Sequence, residues 1–369
     1  MGELFEAAMS TSPTATLYFV VPNTIDDPDR VSGGNVYDQR VRDGLRQLGW
    51  DVRMVLLGGG GERTLAQALS RLPDAALVLV DGLIAVRESD VFVGQSSRLR
   101  LVVLAHMVAS LLVGPTGDAG DPAEVACRER SALGAAHLVI ATSSWTRSEL
   151  ITRNLAEPYR IVVAQPGTDL TPATIGSAAG GRLLCVGVVA RHKGQDLLVR
   201  ALSGLADIAG WSCRIVGSLQ RYPDFVAELR ADLTSVGVSD RVTFTGVLTG
   251  TSLADAYGQA DLVVVPSRSE SYGMVVAESL SRGIPVVATQ VGGIPEALVR
   301  AAAGVVIPPD DPWALGVVLR QWCTSPTLRS DLKAEALASR AAVRPWSATI
   351  GFIDSTLDHA ARLGSAAPA

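Results

Sequence analysis

Two glutamates, Glu270 and Glu278, stand eight residues apart in the stretch SRSESYGMVVAESLSRGIPVVATQVGG, residues 267–293. A carboxylate accepts hydrogen bonds from neighbouring hydroxyls, so such a pair suits polyhydroxylated ligands, a pyranose and a ribose among them. The preceding DLVVVP reads as a buried strand ending at Pro266. The helix that follows is expected to start near Tyr272 or Gly273 and to end before Gly283 and Pro285. Glu270 then lies in the loop at the strand's carboxyl end, and Glu278 more than a turn inside the helix. Gly273, Met274 and Val275 would turn unsatisfied N–H groups toward the same crevice. The plainer alternative makes Glu270 a helix-terminal charge and Glu278 a surface residue. Against it, Val275, Val276, Ala277 and Leu280 make this helix largely apolar, and an acid buried there needs a partner.

A second group is Arg191 and Lys193, in VGVVARHKGQD (186–196), just before a helix whose face carries Leu197, Leu198 and Ala201. Two cations beside free backbone N–H groups can clamp a diphosphate, while the competing reading is a solvated basic turn. The glycine spacing and Lys-Ser/Thr pair of a Walker A loop are absent. Ser32-Gly33-Gly34-Asn35 follows the first strand, where paired glycines let a backbone approach an anion. It is not a G-x-G-x-x-G fingerprint, and its bland alternative is a turn with an Asn cap. His106 closes the strand RLVVLAH, at a carboxyl end where ligands bind in open sheets. A satisfied structural histidine is the alternative there. His137 and His359 receive no role, and His192 beside the clamp stays undecided. Asp27-Pro28-Asp29 has the form of a metal-binding D-x-D, but no second acidic cluster supports it, so it reads as a turn and no metal ligand is assigned.

These residues must be carried by elements. Short β-branched runs alternate with helical patterns throughout, the mark of parallel βαβ winding. The first half offers strands at 16–21, 51–56, 75–80, 100–106, 137–142 and 160–164, and the second at 182–187, 211–217, 241–246, 261–266, 284–289 and 304–308. Between the first two strands, Val36, Val41, Leu45 and Leu48 are expected on one helix face, with Arg40, Asp43 and Gln47 opposite. Residues 166–181, rich in Pro, Gly, Thr and Ser, read as an interdomain linker. The expected division is an N-terminal α/β domain over 1–165, the linker, a second α/β domain over 182–343, and a C-terminal helix over 344–369 packing back across the junction.

The 369 residues are 48% hydrophobic with a net charge of −5. That balance excludes a basic nucleic-acid footprint. Cys127, Cys185, Cys213 and Cys323 are widely spaced and read as reduced core residues of a cytoplasmic protein. No signal peptide is visible at the N-terminus, and the longest apolar run, Leu101 to Gly114, is too short to span a bilayer. It reads as a buried strand running into a loop.

Assembled, these residues resemble the retaining family-4 glycosyltransferases of the GT-B fold. SRSESYGMVVAESLSRGIPVVATQVGGIPE (267–296) is similar to that family's signature of two glutamates separated by seven residues, then G-x-P-V-V-A-T and G-G-x-P-E. The glycines at 33–34, Lys193-Gly194 and the Pro-Gly-x-Asp at 166–169 fall in the family's order. The resemblance implies an α/β architecture of two Rossmann-like, doubly wound parallel-sheet domains facing across a cleft. It implies a hexosyltransferase that moves a hexose from a nucleoside diphosphate sugar to an acceptor hydroxyl with retention, with no cofactor and no obligatory metal. Glu270 would contact the donor sugar and Glu278 the ribose. Gly273, Met274 and Val275 would face the sugar or diphosphate, Lys193 would neutralise the diphosphate, Gly33 and Gly34 would close over it, and His106 would approach the anomeric centre. One departure stands out: the family commonly carries Arg after the glycine that ends this strand, whereas Gly187 is followed by Val188, and Arg191 is the candidate to replace that charge. The alternatives are a non-catalytic, degenerate binding protein and a sugar-nucleotide epimerase of the same fold. The acceptor, small molecule, glycan or lipid-linked, would meet loops such as 107–122, with Leu111, Leu112 and Val113 open to a lipid or a core reading.

Overall fold

A computed structural model describes residues 15–58, 64–112, 120–298 and 301–362 of the chain. Within them lie twelve strands: β1 (Thr16–Pro22), β2 (Asp51–Leu57), β3 (Leu77–Asp81), β4 (Arg100–Ala105), β5 (Leu138–Ala141), β6 (Ile161–Val163), β7 (Arg182–Val186), β8 (Ser212–Val216), β9 (Val242–Gly246), β10 (Leu262–Val265), β11 (Val286–Thr289) and β12 (Gly304–Ile307). They form two six-stranded parallel sheets, ordered β2-β1-β3-β4-β5-β6 and β12-β11-β10-β7-β8-β9. The strands that sit mid-sheet are buried on both faces, which explains their unbroken apolar runs: all of LVLVD in β3 and LVVV in β10 is out of solvent.

In each sheet the winding reverses once, and the strands flanking that reversal pair directly: β1 with β3, and β7 with β10. Crevices outside the carboxyl ends of strands form at such switch points, because successive connections leave there in opposite directions. The reversal therefore dictates which loops can meet a ligand. In the first sheet these follow β1 and β3, with the end of β4 next to them; in the second, β7 and β10.

The first helix, Gly33–Gln47, buries Tyr37, Asp38, Val41 and Leu45. Leu48, expected on that face, is 55% exposed, because the helix ends one residue earlier and Leu48 is its C-cap. Val36 is only half-buried. The cap at the helix start is Ser32, whose hydroxyl accepts from the Asn35 N–H; the Asn35 side chain instead holds the Thr24 and Arg30 carbonyls of the preceding loop. Asp27 accepts from the Asp29 N–H, which makes the D-x-D segment a turn.

Between β6 and β7 the chain forms no helix or strand, apart from a single bridge between Thr168 and Pro345. The tail divides at Pro326 and Pro345 into helices Pro312–Thr324, Pro326–Ser339 and Trp346–Arg362. The last of these returns to the N-terminal sheet. Ile350 fills the space left by Gly44, Trp50 donates to Asp354, and Trp346, Ile353 and Leu357 join the apolar cluster of Leu17, Phe19 and Tyr37.

The cysteines are all free, but only Cys185 and Cys213 lie in the core; Cys323 is half-buried and Cys127 exposed. No helix among the described residues is long and apolar enough to cross a membrane. The run from Leu101 enters β4 and then a short 3-10 turn, Ala109–Leu111. Val113 and the rest of 113–119, part of the expected acceptor loop, lie outside the described residues, as do residues 1–14.

Candidate functional site

The C-terminal sheet brings Lys193 and Glu270 together from the two strands of its switch point. Lys193 ends a 3-10 turn (Arg191–Lys193) after β7, and its Nζ lies 2.6 Å from Glu270 Oε2 in the loop after β10. Ser267 donates its hydroxyl to the same carboxylate oxygen at 3.3 Å. Two glycines make this approach possible. Gly194 has φ +69 and a Cβ there would strike the Pro266 carbonyl at the end of β10; Gly292 has φ +54 and a Cβ would strike the Glu270 carbonyl. The side chains of Lys193 and Glu270 keep 24% and 17% of their surface exposed, so a ligand can reach both.

The helix Met274–Ser281 begins at Gly273, in a left-handed conformation and with no side chain capping it. Its first N–H groups are thus open to an acceptor group. Met274 packs beside Gly33 of the N-terminal half; the Sδ atom is 3.5 Å from where a Gly33 Cβ would stand. Glu278, one face of the same helix, accepts from the Tyr257 hydroxyl at 2.7 Å. That is the partner its apolar setting required. Burial pushes the Glu278 carboxyl up, and Tyr257 and Arg282 draw it partly back.

Arg191 goes elsewhere. One nitrogen of its guanidinium donates to both oxygens of Glu228, at 2.9 and 2.7 Å, and the group lies 5.0 Å from the Phe225 ring centroid. The structure thus does not bring Arg191, the residue expected to replace the missing charge at Val188, to the Lys193–Glu270 pair: an ion pair and a ring face on the neighbouring helix hold it. Val188 itself is fixed by Gln195, whose amide donates to the Val188 carbonyl and accepts from the Ala190 N–H. Lys193 stands as the cation on Glu270.

In the N-terminal sheet His106 follows β4 and is 8% exposed. Its Nε2 is 2.8 Å from Asp38 Oδ1 on the first helix and 3.7 Å from Asp81 Oδ2 at the end of β3. Asp81 also caps the next helix by accepting from the Ile84 N–H. Burial pulls the imidazole pKa down, but Asp38, with Asp81 behind it, outweighs this and leaves it at about 8. Among the described residues these three could also hold a metal ion, with ligand atoms within 4.8 Å of one another. The 2.8 Å contact is accounted for by a proton on the imidazole shared with Asp38. Gly34 lies over this ring, with its Cβ position 3.5 Å from His106 Cδ2.

Sequence reasoning found His106 and missed both of its carboxylates. Asp38 resembles any polar residue of an amphipathic helix until the helix is docked, although its place one residue after buried Tyr37 puts it on the inner edge. Asp81 ends a strand, which is a positional signal for the switch point. Also missed was Glu296, of the GGIPE segment. Its carboxylate accepts from the Ser144 and Trp145 N–H groups at 2.9 and 2.7 Å and from the Gln165 amide at 2.9 Å, tying the second half of the chain to the first. A helix N-terminus is a natural seat for that charge.

The family model for "Glycosyl transferases group 1" matches residues 180–338. Over 282 residues the chain is 33% identical to a D-inositol 3-phosphate glycosyltransferase of Frankia alni, which covers 69% of this chain and 67% of that protein. The chain spans between 49% and 67% of the length of such curated relatives. Among solved structures, a sucrose-phosphate synthase from Thermosynechococcus elongatus superposes with a TM-score of 0.76 at 20% identity, over 95% of this chain and 100% of that one. Anabaena HepE in complex with UDP and glucose gives a TM-score of 0.72 at 18% identity, over 94% of this chain and 100% of that one. With a relative 33% identical over two thirds of its length and the family model on residues 180–338, the chain belongs to the group 1 glycosyl transferases.

Proposed function

We propose that this chain is a hexosyltransferase that takes a hexose from a nucleoside diphosphate sugar and gives it to an acceptor hydroxyl, with retention and without an obligatory metal. The observation that carries the reading is the joined Lys193–Glu270 pair beside the uncapped helix start at Gly273. When the sugar–phosphate bond breaks, negative charge grows on the diphosphate and oxocarbenium character on the sugar. Lys193 and the N–H groups of Met274 and Val275 stabilise the former as preorganised donors. Glu270 holds sugar hydroxyls, and Glu278, oriented by Tyr257, holds the ribose. The acceptor hydroxyl attacks on the face the diphosphate leaves, and its proton passes to a phosphate oxygen of the leaving group. His106, fixed by Asp38, stands on the opposite wall with Gly34 toward the transferred sugar. The four unpaired cysteines favour a cytoplasmic setting.

The relatives' stated activity makes a phosphate-bearing polyol the first acceptor to try. The test is incubation with UDP-, GDP- and ADP-hexoses, with and without D-inositol 3-phosphate and with EDTA throughout, read by mass spectrometry of the products. An acceptor-dependent glycoside with retained anomeric configuration is expected. A folded protein that binds no nucleotide and forms no product would favour the non-catalytic reading, for which Val188 and the Glu228-bound Arg191 speak. An isomerised free sugar nucleotide would favour an epimerase.

A further inference from the structure

Arg268 stands two residues before Glu270 and outside the group assigned above. Its side chain is 15% exposed. The guanidinium donates to both oxygens of Asp196, at 2.7 and 2.8 Å, and to the Arg191 carbonyl at 2.7 Å; its Nε pairs with Asp310 after β12. The Arg268 backbone N–H also donates to the His192 carbonyl at 2.8 Å. Asp196 belongs to the first turn of the helix Gln195–Ser203 and its side chain is 11% exposed. Burial would raise the Asp196 carboxyl, and the bidentate Arg268 reverses this, so its pKa falls below the usual value.

One planar cation thus joins the β7 turn, the helix after it and the loop after β10. Those are the two loops that carry Lys193 and Glu270. Gly194, pressed on the Pro266 carbonyl, is the opposite side of the same junction. We infer that Arg268 is a positioning residue for the proposed reaction: through Asp196 and the Arg191 and His192 carbonyls it holds the Lys193 turn against the Glu270 loop. Ammonium and carboxylate then meet the diphosphate and the sugar at a fixed separation. The geometry needs a fork of donors in one plane, which lysine does not provide. The inference rests on the functional reading above for its consequence, but its structural half can be tested alone.

The experiment compares Arg268→Lys in the full chain with wild type, each with and without Lys193→Ala. Titration calorimetry with UDP, GDP and ADP gives the affinities, and hydrogen exchange by mass spectrometry gives the loop protection. Arg268→Lys should weaken the preferred nucleoside diphosphate about 10-fold, as expected for loss of a bidentate charge-assisted contact. In the Lys193→Ala background the same change should cost less than about 2-fold, because coupled residues are not additive. Amides of 191–195 and 268–271 should exchange faster, with the rest of the chain unchanged. Equal losses in both backgrounds would overturn the inference, since Arg268 would then act on the ligand or the domain directly. Unchanged loop protection would overturn it as well. Were wild type to bind no nucleotide, the functional reading would fall while the exchange result still decided whether Arg268 sets the two loops.

Discussion

Around His106 the N-terminal sheet assembles one imidazole and two carboxylates that are 1% and 6% exposed. Around Lys193 the C-terminal sheet leaves an ammonium and a carboxylate with a fifth or so of their surface open. Both groups sit at the switch point of their sheet. The first is closed on itself: Asp38 bonds His106, Asp81 caps a helix, and no exchange of partners is possible without leaving a buried charge alone. The second is open to solvent on both partners, and under the proposed function a diphosphate would take Lys193 from Glu270 while sugar hydroxyls replaced it on the carboxylate. One sheet has a fixed wall and the other a charge pair that a ligand can part.

The largest effect that would break this contrast is expected at Glu270. Replacing it with alanine should lower turnover by at least about 100-fold, the scale for one positioned group in a preorganised site. Steady-state kinetics with the preferred donor is the check, and turnover within a few-fold of wild type would mean that the open pair is not the reacting side.

Next in size is the closed wall. His106 has a folded pKa of about 8 against an ordinary 6.5. A raised histidine pKa gives stability that is fully present below pH 6.5 and is lost as pH rises through 8. For a buried group this amounts to about 2 kcal/mol across that window. Urea unfolding at pH 6 and pH 9 should show the fall in wild type, and Asp38→Asn should flatten it, because the carboxylate that raises the pKa is gone. An unaltered slope in Asp38→Asn would contradict the assignment.

Smallest is Arg191. Its pair with Glu228 is half-exposed on both sides, so Arg191→Ala should change stability by less than about 1 kcal/mol. Nucleotide affinity should hardly move. A large loss of affinity would show that Arg191 leaves Glu228 for the diphosphate and restores the clamp that Val188 lacks.

What the sequence made legible follows the same contrast. The twelve strands of the described residues show as short apolar runs, clearest in β3 and β10, which are buried on both faces and carry no polar alternation to obscure them. The Glu270–Glu278 segment and Lys193 were legible since their spacing is local and the loops that carry them are short. The partners were not. Asp38 reaches His106 across 68 residues, Glu296 reaches Ser144 across 152, and Tyr257 reaches Glu278 from another helix. Such pairings are set by how helices dock on the sheets, which a helix period reveals only as a face. Arg191 shows the reverse: two residues from Lys193 in sequence, its side chain points to a different helix.

The central claim is that Lys193 serves the diphosphate while Glu270 serves the sugar. Calorimetric titration of the preferred nucleoside diphosphate into wild type, Lys193→Ala and Glu270→Ala tests it most directly. Loss of a charge-assisted contact should weaken binding in Lys193→Ala by about 10- to 100-fold. Glu270→Ala, which releases Lys193 from its present partner, should bind as tightly as wild type or more tightly. Equal loss of affinity in both variants would contradict the division of roles.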